Sequence, residues 1–128
     1  MAKKLVLLGE DDPVIAQMYQ TAFTQAGLDA AVAADGEEVI AKGKELSPDI
    51  LVLDINMPVK DGFEVLKDIR EKKEVYEIFK RTPIIMLTNY NNPQDIDYCT
   101  KMGVQDYLVK TEWTPDYIVR RVKKFLVE

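Results

Sequence analysis

Five short apolar segments, each followed by a stretch with helical periodicity, constrain the fold more than any other feature of this chain. The apolar segments span residues 4–9, 28–34, 50–53, 84–87 and 104–109. The continuous apolar run at residues 50–53 is typical of a strand that is buried on both faces. Strands that alternate with helices favour right-handed crossovers and a parallel sheet covered by helices on both sides. The sequence therefore predicts one α/β domain covering residues 1–128.

The helical stretches carry local start and stop signals. Asp12 is expected to cap the first helix, Pro13 suits its first position, and Gly27 suits its end. The residues predicted to face inward from the first two helices are Ile15, Met18, Tyr19, Ala22, Phe23 and Ala26, then Val39, Ile40 and Leu46. After the third helix, the charged segment 71–80 is interpreted as a solvated helical face or a long loop. The last helix, from about Thr114, is expected to bury Ile118, Val122, Phe125 and Leu126.

Composition excludes several kinds of chemistry. The chain has no histidine, which rules out histidine acid/base catalysis, a Ser-His-Asp triad and histidine metal sites. Its single cysteine, Cys99, is expected to be a small buried hydrophobe in a protein of a reducing compartment. A formal charge of −5 argues against direct binding of a nucleic-acid backbone. No apolar stretch has the length of a signal peptide or membrane span, so a cytoplasmic protein without membrane insertion is expected.

Polar residues follow four of the five predicted strands. Glu10, Asp11 and Asp12 come after the first strand, Asp54 after the third, Thr88 after the fourth and Lys110 after the fifth. In open α/β sheets, ligands bind at the carboxyl edge of the strands. Asp54 alone is equally compatible with a turn or a helix cap. If the strands are neighbours, all of these groups meet at one edge of the sheet.

Carboxylates from two strand ends repel one another, by about 4 kcal/mol at 4 Å and an effective dielectric near 20, so they imply a cation. Oxygen ligands without histidine or thiolate favour a hard ion such as Mg²⁺. Asp54 beside Mg²⁺, Lys110 and the Thr88 hydroxyl has the groups needed to accept a phosphoryl group. Each residue alone has a structural explanation, as a cap, a strand end or a solvated lysine.

Four segments together resemble the receiver domains of bacterial two-component response regulators. They are LLGEDDP at residues 7–13, LDINMPVKDG at 53–62, PIIMLT at 83–88 and GVQDYLVK at 103–110. The resemblance covers essentially the whole chain. It implies a flavodoxin-like (βα)5 doubly wound parallel sheet with strand order 2-1-3-4-5. It further implies a single receiver domain over 1–128, similar to the chemotaxis regulators, with no output domain in this chain.

The resemblance assigns a role to each strand-end group. Asp54 would accept a phosphoryl group from a phosphohistidine on a histidine kinase or a histidine phosphotransfer protein, with Mg²⁺ required. Asp11 would bind the metal directly and Glu10 through water, and Asp54 and the Asn56 carbonyl would complete the set. Asp12 matches a less fixed position in the family. The phosphoryl oxygens would be bound by Thr88 and Lys110.

Five positions bear on switching and on the lifetime of the phosphorylated state. Tyr107 is similar to the family's switch aromatic, which turns inward when Thr88 moves, and is equally compatible with an ordinary half-exposed strand aromatic. The family often has a small residue after the Thr and a Pro after the Lys, whereas this chain has Asn89 and Thr111. Thr111 makes a cis peptide after Lys110 unexpected. Asn56 and Tyr90 border the path of attacking water and are expected to tune the lifetime of phospho-Asp54.

The resulting hypothesis is a signalling switch that assists its own phosphorylation and dephosphorylation and is not otherwise an enzyme. Its output surface would comprise residues 91–102, Tyr107 and 118–124, facing an unidentified protein target or, after phosphorylation, a second copy of the chain. Alternatives are an aspartate-nucleophile phosphatase, which would typically have Asp where Asn56 stands, a docking module that needs no phosphorylation, and the receiver part of a longer DNA-binding regulator.

Overall fold

The computed structural model describes residues 3–126 and contains one five-stranded parallel sheet. The strands are β1 (Leu5–Gly9), β2 (Asp29–Ala33), β3 (Ile50–Leu53), β4 (Ile84–Thr88) and β5 (Asp106–Val109). Their spatial order is β2-β1-β3-β4-β5, and every adjacent pair is parallel. The predicted fold class and strand order are confirmed. Predicted strand ends lie within two residues of those observed.

Six helices cover the two faces of the sheet. They are α1 (Pro13–Gln25), α2 (Gly36–Leu46), α3 (Gly62–Glu71), α4 (Lys73–Phe79), α5 (Pro93–Lys101) and α6 (Pro115–Lys124). One core cluster joins the sheet to α1 and α6, and a second joins it to α2, α3, α4 and α5. Within residues 3–126, none of these helices has the length and apolar character of a membrane span.

The central strands β1 and β3 are apolar throughout because successive side chains enter opposite cores. In β1, Val6 and Leu8 pack beneath α1 and α6, whereas Leu7 lies in the cluster on the other face. β3 repeats the pattern, with Ile50 and Val52 on the first face and Leu51 and Leu53 on the second. This alternation explains why the central strands show no polar residue until they reach the edge of the sheet.

Local signals at the helix ends operate as predicted. The Asp12 carboxylate accepts hydrogen bonds from the backbone N–H groups of Val14 and Ile15, and Pro13 occupies the first turn. Gly27 has φ +91°, a conformation that closes the helix and that side chains with a Cβ disfavour. Cys99 is completely buried, as predicted.

The interpretation of segment 71–80 as a solvated helical face or a long loop is only partly correct, because its charged residues are exposed but the helix also has a buried side. The chain bends at Lys72, whose ψ is 119°, and forms the separate helix α4. Val75 and Phe79 of this helix are buried in the core. Phe79 lies directly against Gly43 of α2, where a Cβ would come within 2.3 Å of the ring. The missing side chain of Gly43 therefore makes room for the Phe79 ring.

Two inward-facing residues were also predicted incorrectly, because Met18 and Leu46 are exposed. Met18 shares the helical spacing of the apolar stripe, but only Ala16, Tyr19 and Phe23 of α1 are fully buried. In α6, Ile118 and Val122 are buried as expected, Val119 joins them, and Phe125 and Leu126 are partly buried. Periodicity thus indicated the correct helices and only approximately which side chains are enclosed.

Two side chains contact the backbone of β2, which is an edge strand of the sheet. The Gln20 side-chain amide donates to the carbonyl oxygen of Ala30 at 2.8 Å. The Lys42 ammonium donates to the carbonyl oxygen of Val32. These donors come from α1 and α2, one on each face of the sheet.

Candidate functional site

The parallel register brings the residues that follow β1, β3, β4 and β5 to the same edge of the sheet. Gly9 pairs with Leu53, Leu53 with Met86, and Thr88 with Val109. The next residues therefore open into one cleft of about 180 Å³. Its lining consists of Glu10, Asp11, Asp12, Ile15, Asp54, Asn56, Thr88, Asn89, Tyr90 and Lys110. All predicted site residues except Tyr107 line this cleft.

Asp54 is buried and held at the centre of the cleft by its own backbone and by its neighbours. Its backbone N–H donates to the Gly9 carbonyl oxygen at 3.0 Å. A Cβ at Gly62 would come within 2.4 Å of the Asp54 carbonyl oxygen, so α3 can begin this close only because residue 62 is glycine. The Asp54 Oδ1 atom accepts from the Asn56 backbone N–H at 3.3 Å.

Lys110 lies between two carboxylates. Its Nζ donates to Asp54 Oδ2 at 2.7 Å and also to Glu10 Oε1. Burial by itself lowers the pKa of the Lys110 ammonium, but the hydrogen bonds to Asp54 and Glu10 outweigh it, and the pKa is raised. Lys110 therefore stays charged. Burial raises the pKa of Glu10, and the hydrogen bond from Lys110 opposes that rise without cancelling it.

The acidic residues of the cleft fit a hard divalent cation. Glu10, Asp11 and Asp54 each offer a carboxylate oxygen, and these oxygens lie within 4.8 Å of one another. Among residues 3–126, Lys110 is the only cation that forms ion pairs with these carboxylates. Three negative charges therefore face one positive charge. Asp11 is exposed, which leaves room for water on a bound ion. An all-oxygen set with access to water suits Mg²⁺.

Asp12 and Thr88 have different surroundings from the acidic cluster. The Asp12 carboxylate is engaged in capping α1, although the residue lines the cleft. Thr88 is fully buried, and its Oγ1 accepts a hydrogen bond from the Tyr90 backbone N–H at 3.3 Å. The Thr88 hydroxyl proton stays available for an oxygen in the cleft. Every peptide bond in the described part of the chain is trans, including the one after Lys110.

Tyr107 is connected to the cleft without lining it. Its hydroxyl donates to the carbonyl oxygen of Tyr90 at 2.5 Å, and its ring packs partly buried against the core. Burial raises the pKa of this phenol, so the hydroxyl remains a donor. Because Tyr90 also donates its N–H to Thr88, one residue joins Tyr107 to the strand end.

The sequence did not indicate the role of Lys60, which connects the loop after β3 to a neighbouring helix. Lys60 is bound to Asp68 of α3 and lies 3.6 Å from Glu37 of α2. Lys60 and Asp68 are eight positions apart and lie on a loop and a helix, so no periodic spacing could have indicated the pair. Ile15 was predicted as a core residue only, yet its side chain forms part of the cleft wall.

Comparison with known proteins decides the family. The sequence model of the response regulator receiver domain family matches residues 6–123 of this chain. The chain belongs to this family. Receiver domains are signalling switches of two-component systems. A curated relative, the alkaline phosphatase synthesis transcriptional regulatory protein PhoP of Bacillus subtilis, is 33% identical over 123 residues, covering 96% of this chain and 48% of the relative. The receiver spans about half the length of the curated relatives it matches.

Solved structures agree with the assignment over nearly the full chain. The chemotaxis protein CheY4 of Vibrio cholerae is 33% identical and has a TM-score of 0.86, with 98% of this chain and 100% of that chain covered. The receiver domain of sensor histidine kinase PA1611 of Pseudomonas aeruginosa PAO1 is 26% identical, with a TM-score of 0.82 and 98% of both chains covered. That structure is described with a magnesium ion coordinated in the active-site cleft.

Proposed function

We propose that this receiver, acting as one domain over 1–128, accepts a phosphoryl group on Asp54 and thereby changes its affinity for a protein target. The donor is a phosphohistidine on a histidine kinase or a histidine phosphotransfer protein. The observation that carries the proposal is the position of the buried Asp54 carboxylate, which is 2.7 Å from Lys110 and shares its cleft with Thr88. A nucleophile, a fixed cation and a hydroxyl donor thus face one small space.

In the transfer, an Asp54 carboxylate oxygen attacks phosphorus, the P–N bond to the imidazole breaks, and the electron pair leaves with the imidazole. The product is an acyl phosphate on Asp54. Lys110 binds a transferred oxygen as a point charge, and the Thr88 hydroxyl donates to another. Both groups are already in place, because Lys110 is held by Glu10 and Asp54 and Thr88 ends a central strand.

We further propose that the transfer requires Mg²⁺. Glu10, Asp11 and Asp54, together with the backbone carbonyl of Asn56, would hold the ion, which supplies positive charge to the phosphoryl oxygens. Support comes from the three carboxylates gathered within 4.8 Å and from the magnesium described in the PA1611 receiver. The same residues and Lys110 would assist loss of the phosphoryl group to water, at a rate set in part by Asn56 and Tyr90, which border the cleft.

The output of the switch is proposed to lie on residues 91–102, Tyr107 and 118–124. The chain of hydrogen bonds from Thr88 through Tyr90 to the Tyr107 hydroxyl supports a link between the cleft and this surface. An unidentified protein target or a second phosphorylated copy of the receiver would bind there. We place the exchange in the cytoplasm, a reducing compartment that suits the buried free thiol of Cys99.

The decisive experiment is intact-mass spectrometry after incubation with acetyl phosphate, with and without Mg²⁺. We expect one phosphoryl adduct on the wild type that forms only with Mg²⁺ and does not form on Asp54→Ala. Asp12→Asn is the matched control, because asparagine caps a helix as well as aspartate does. This variant should be phosphorylated like the wild type.

Other outcomes would contradict the proposal in distinguishable ways. An adduct that persists on Asp54→Ala would place the phosphoacceptor elsewhere. Absence of an adduct under every condition would favour a docking module that works without phosphorylation. Continuous release of phosphate by the wild type, with no accumulated adduct, would favour an aspartate-nucleophile phosphatase.

A further inference from the structure

A second pocket of the receiver lies outside the phosphoacceptor cleft. It has a volume of about 320 Å³ and is formed where the start of α3 meets α5. Its lining residues are Phe63, Asp95 and Tyr98, none of which lines the phosphoacceptor cleft. We refer to these three residues as the aromatic–acidic pocket.

The two aromatic rings of this pocket stand perpendicular to one another. Their centroids are 5.2 Å apart and the angle between the ring planes is 89°. Phe63 packs against the core cluster, which fixes its ring, whereas Tyr98 is 39% exposed. In this edge-to-face contact the edge of one ring meets the face of the other, and the ring surface that stays uncovered lines the pocket. Aromatic faces carry negative partial charge and attract cations within about 6 Å of the ring centroid.

Asp95 adds a full negative charge beside the rings. Its Oδ2 accepts a hydrogen bond from the Asn92 side-chain amide at 2.5 Å, and its backbone N–H donates to Asn92 Oδ1 at 2.9 Å. These bonds hold the carboxylate at the start of α5. Across the described ranges of the chain, no lysine or arginine forms an ion pair with Asp95, and its Oδ1 accepts no hydrogen bond.

Asp97, on the same helix, differs from Asp95 because it has an ion-pair partner. Asp97 is paired with Lys101 at 3.0 Å and does not line the pocket. Asp95 is thus a half-buried carboxylate beside an apolar wall, and no lysine or arginine of the described residues neutralises it, so an incoming cation can form a charge-assisted hydrogen bond there. The net charge of −5 adds attraction for a positively charged partner at long range.

We propose that the aromatic–acidic pocket binds the guanidinium group of an arginine side chain from a protein partner. A planar guanidinium can stack on one ring while its N–H groups donate to the free Asp95 oxygen, which an ammonium cannot do as well. The apolar part of the arginine stem would contact the second ring. Asp95 and Tyr98 also belong to the proposed output surface, residues 91–102. Binding of a guanidinium in the pocket nevertheless requires no phosphoryl group, so it can be tested without phosphorylation of Asp54.

The test is a nuclear magnetic resonance titration of the isotope-labelled full chain with N-acetyl-arginine methylamide. We expect saturable shifts in the ring signals of Phe63 and Tyr98 and in the amide signal of Asp95. The matched ligand is N-acetyl-citrulline methylamide, which has nearly the same shape and no charge. Its binding should be weaker by about fivefold or more, the range expected when a cation–π contact and an ion pair are lost together.

Two pairs of variants locate the binding site. Asp95→Asn and Tyr98→Leu should each weaken binding of the arginine derivative by about fivefold. Asp97→Asn, on the same helix, and Tyr76→Leu, an exposed tyrosine on α4, should leave it unchanged. The amide spectrum of each variant verifies that the fold is intact, and Asp95→Asn retains an acceptor for Asn92.

Three outcomes would overturn the proposal. Equal binding of the citrulline derivative would identify the pocket as an apolar docking site. Equal weakening by Asp97→Asn would show attraction to the acidic surface in general. Absence of saturable shifts at Phe63 and Tyr98 would show that the pocket does not bind a guanidinium. Asp54→Asn should bind the arginine derivative normally, which keeps this result separate from the phosphorylation experiment.

Discussion

Asp11 and Asp12 are adjacent and carry the same charge, yet the structure gives them different tasks. The Asp12 carboxylate accepts hydrogen bonds from two backbone N–H groups at the start of α1. The Asp11 carboxylate is exposed and lies in the cluster with Glu10 and Asp54. The cap at Asp12 was predictable from the sequence, because Pro13 follows directly and suits the first helical position. The metal role of Asp11 came only from the family resemblance.

This difference predicts unequal effects on magnesium binding. Asp11→Asn should lower the affinity for Mg²⁺ by about tenfold or more, since even the loss of an outer-shell partner of a metal ligand has effects of that size. Asp12→Asn preserves the cap and should change the affinity by less than about threefold, because exposed charges are screened. Titration calorimetry measures both. Equal losses would mean that the cluster acts only as a diffuse negative field.

Val59 has a backbone conformation that its side chain disfavours. Its φ is +67°, and the side chain is 75% exposed. A β-branched residue at a positive φ is strained by about 1–2 kcal/mol. Because the Val59 side chain is exposed, its packing contributes little stability that could offset this strain. The residue lies in the loop after β3, next to Lys60, which is fastened to α3.

Replacing Val59 by a residue that tolerates this conformation should stabilise the receiver. Val59→Asn is expected to raise the free energy of unfolding by about 1 kcal/mol. Val59→Ile keeps both the β-branch and the strain, and should give no gain. Urea denaturation of the three proteins provides the comparison. A destabilised Val59→Asn variant would indicate that the valine side chain makes a contact of greater value than its strain.

Among the helices, α4 is the one whose packing against the core could not be predicted from hydrophobic periodicity. The segment 71–80 is strongly charged, and only Val75 and Phe79 of α4 are fully buried. Two buried residues four positions apart are too few to distinguish a short packed helix from a solvated one. The space that receives Phe79 is created by Gly43, which is far away in the sequence. The strands β1, β3 and β4 were predictable because they are almost entirely apolar on both faces, which requires no knowledge of distant residues.

Truncation of Phe79 measures how much α4 contributes. Phe79→Ala should lower the free energy of unfolding by about 3–4 kcal/mol, the usual effect of emptying the space of a buried aromatic ring. Tyr76→Ala, on the exposed side of the same helix, should lower it by less than about 1 kcal/mol. Chemical denaturation distinguishes them. Similar small losses for both variants would mean that α4 is only loosely attached to the core.

The pair formed by Lys60 and Asp68 fixes the loop after β3 to α3. The two side chains are only 15% and 13% exposed. The hydrogen bond to Asp68 raises the pKa of Lys60. Burial by itself raises the pKa of Asp68, but the hydrogen bond and charge of Lys60 outweigh it, and the pKa is lowered below 3.8. Both directions indicate that the charged pair stabilises the fold.

The stability of this pair should depend on pH in a defined direction. Asp68→Asn is expected to lose about 2 kcal/mol at pH 7. A carboxyl group with a lowered pKa contributes its stability above the ordinary pKa and loses it as the pH falls through the lowered value. The difference between wild type and variant should therefore shrink below about pH 4. Urea denaturation at several pH values measures it.

A matched variant tests whether burial matters. Asp97 forms a pair with Lys101 in which the two side chains are 62% and 75% exposed. Asp97→Asn should change the free energy of unfolding by less than about 0.5 kcal/mol at either pH, as exposed pairs contribute little. A loss as large as that of Asp68→Asn would show that the position of the pair is unimportant.

For the molecule as a whole, one argument predicted both the fold and the meeting of the polar residues at the strand ends. Parallel strands end at a common edge, so Glu10, Asp54, Thr88 and Lys110 had to meet if their strands were neighbours. The order that makes them neighbours came from family resemblance and is observed in the sheet. The direct contact of Lys110 with Glu10 was not predicted, because it depends on side-chain directions that no sequence pattern records.

Because the cluster is built only by the folded chain, magnesium should stabilise the whole receiver. At a concentration about 100 times the dissociation constant, binding adds about 2.7 kcal/mol to the free energy of unfolding. The midpoint of thermal unfolding should rise by about 10 °C for a domain of this size. Chelation should reverse the rise, and sodium chloride at equal ionic strength should not reproduce it. A similar rise for Asp11→Asn would refute binding at this cluster.

The contacts of Gln20 and Lys42 with β2 have a consequence for the protein in a crowded cell. A terminal strand with free carbonyl groups can template growth by a strand from another molecule, which leads to aggregates. Two outward carbonyl oxygens of β2 are already occupied by side chains of the receiver itself. Pairing of another strand with β2 would first have to displace these two side chains, so growth of aggregates from this edge of the sheet is hindered.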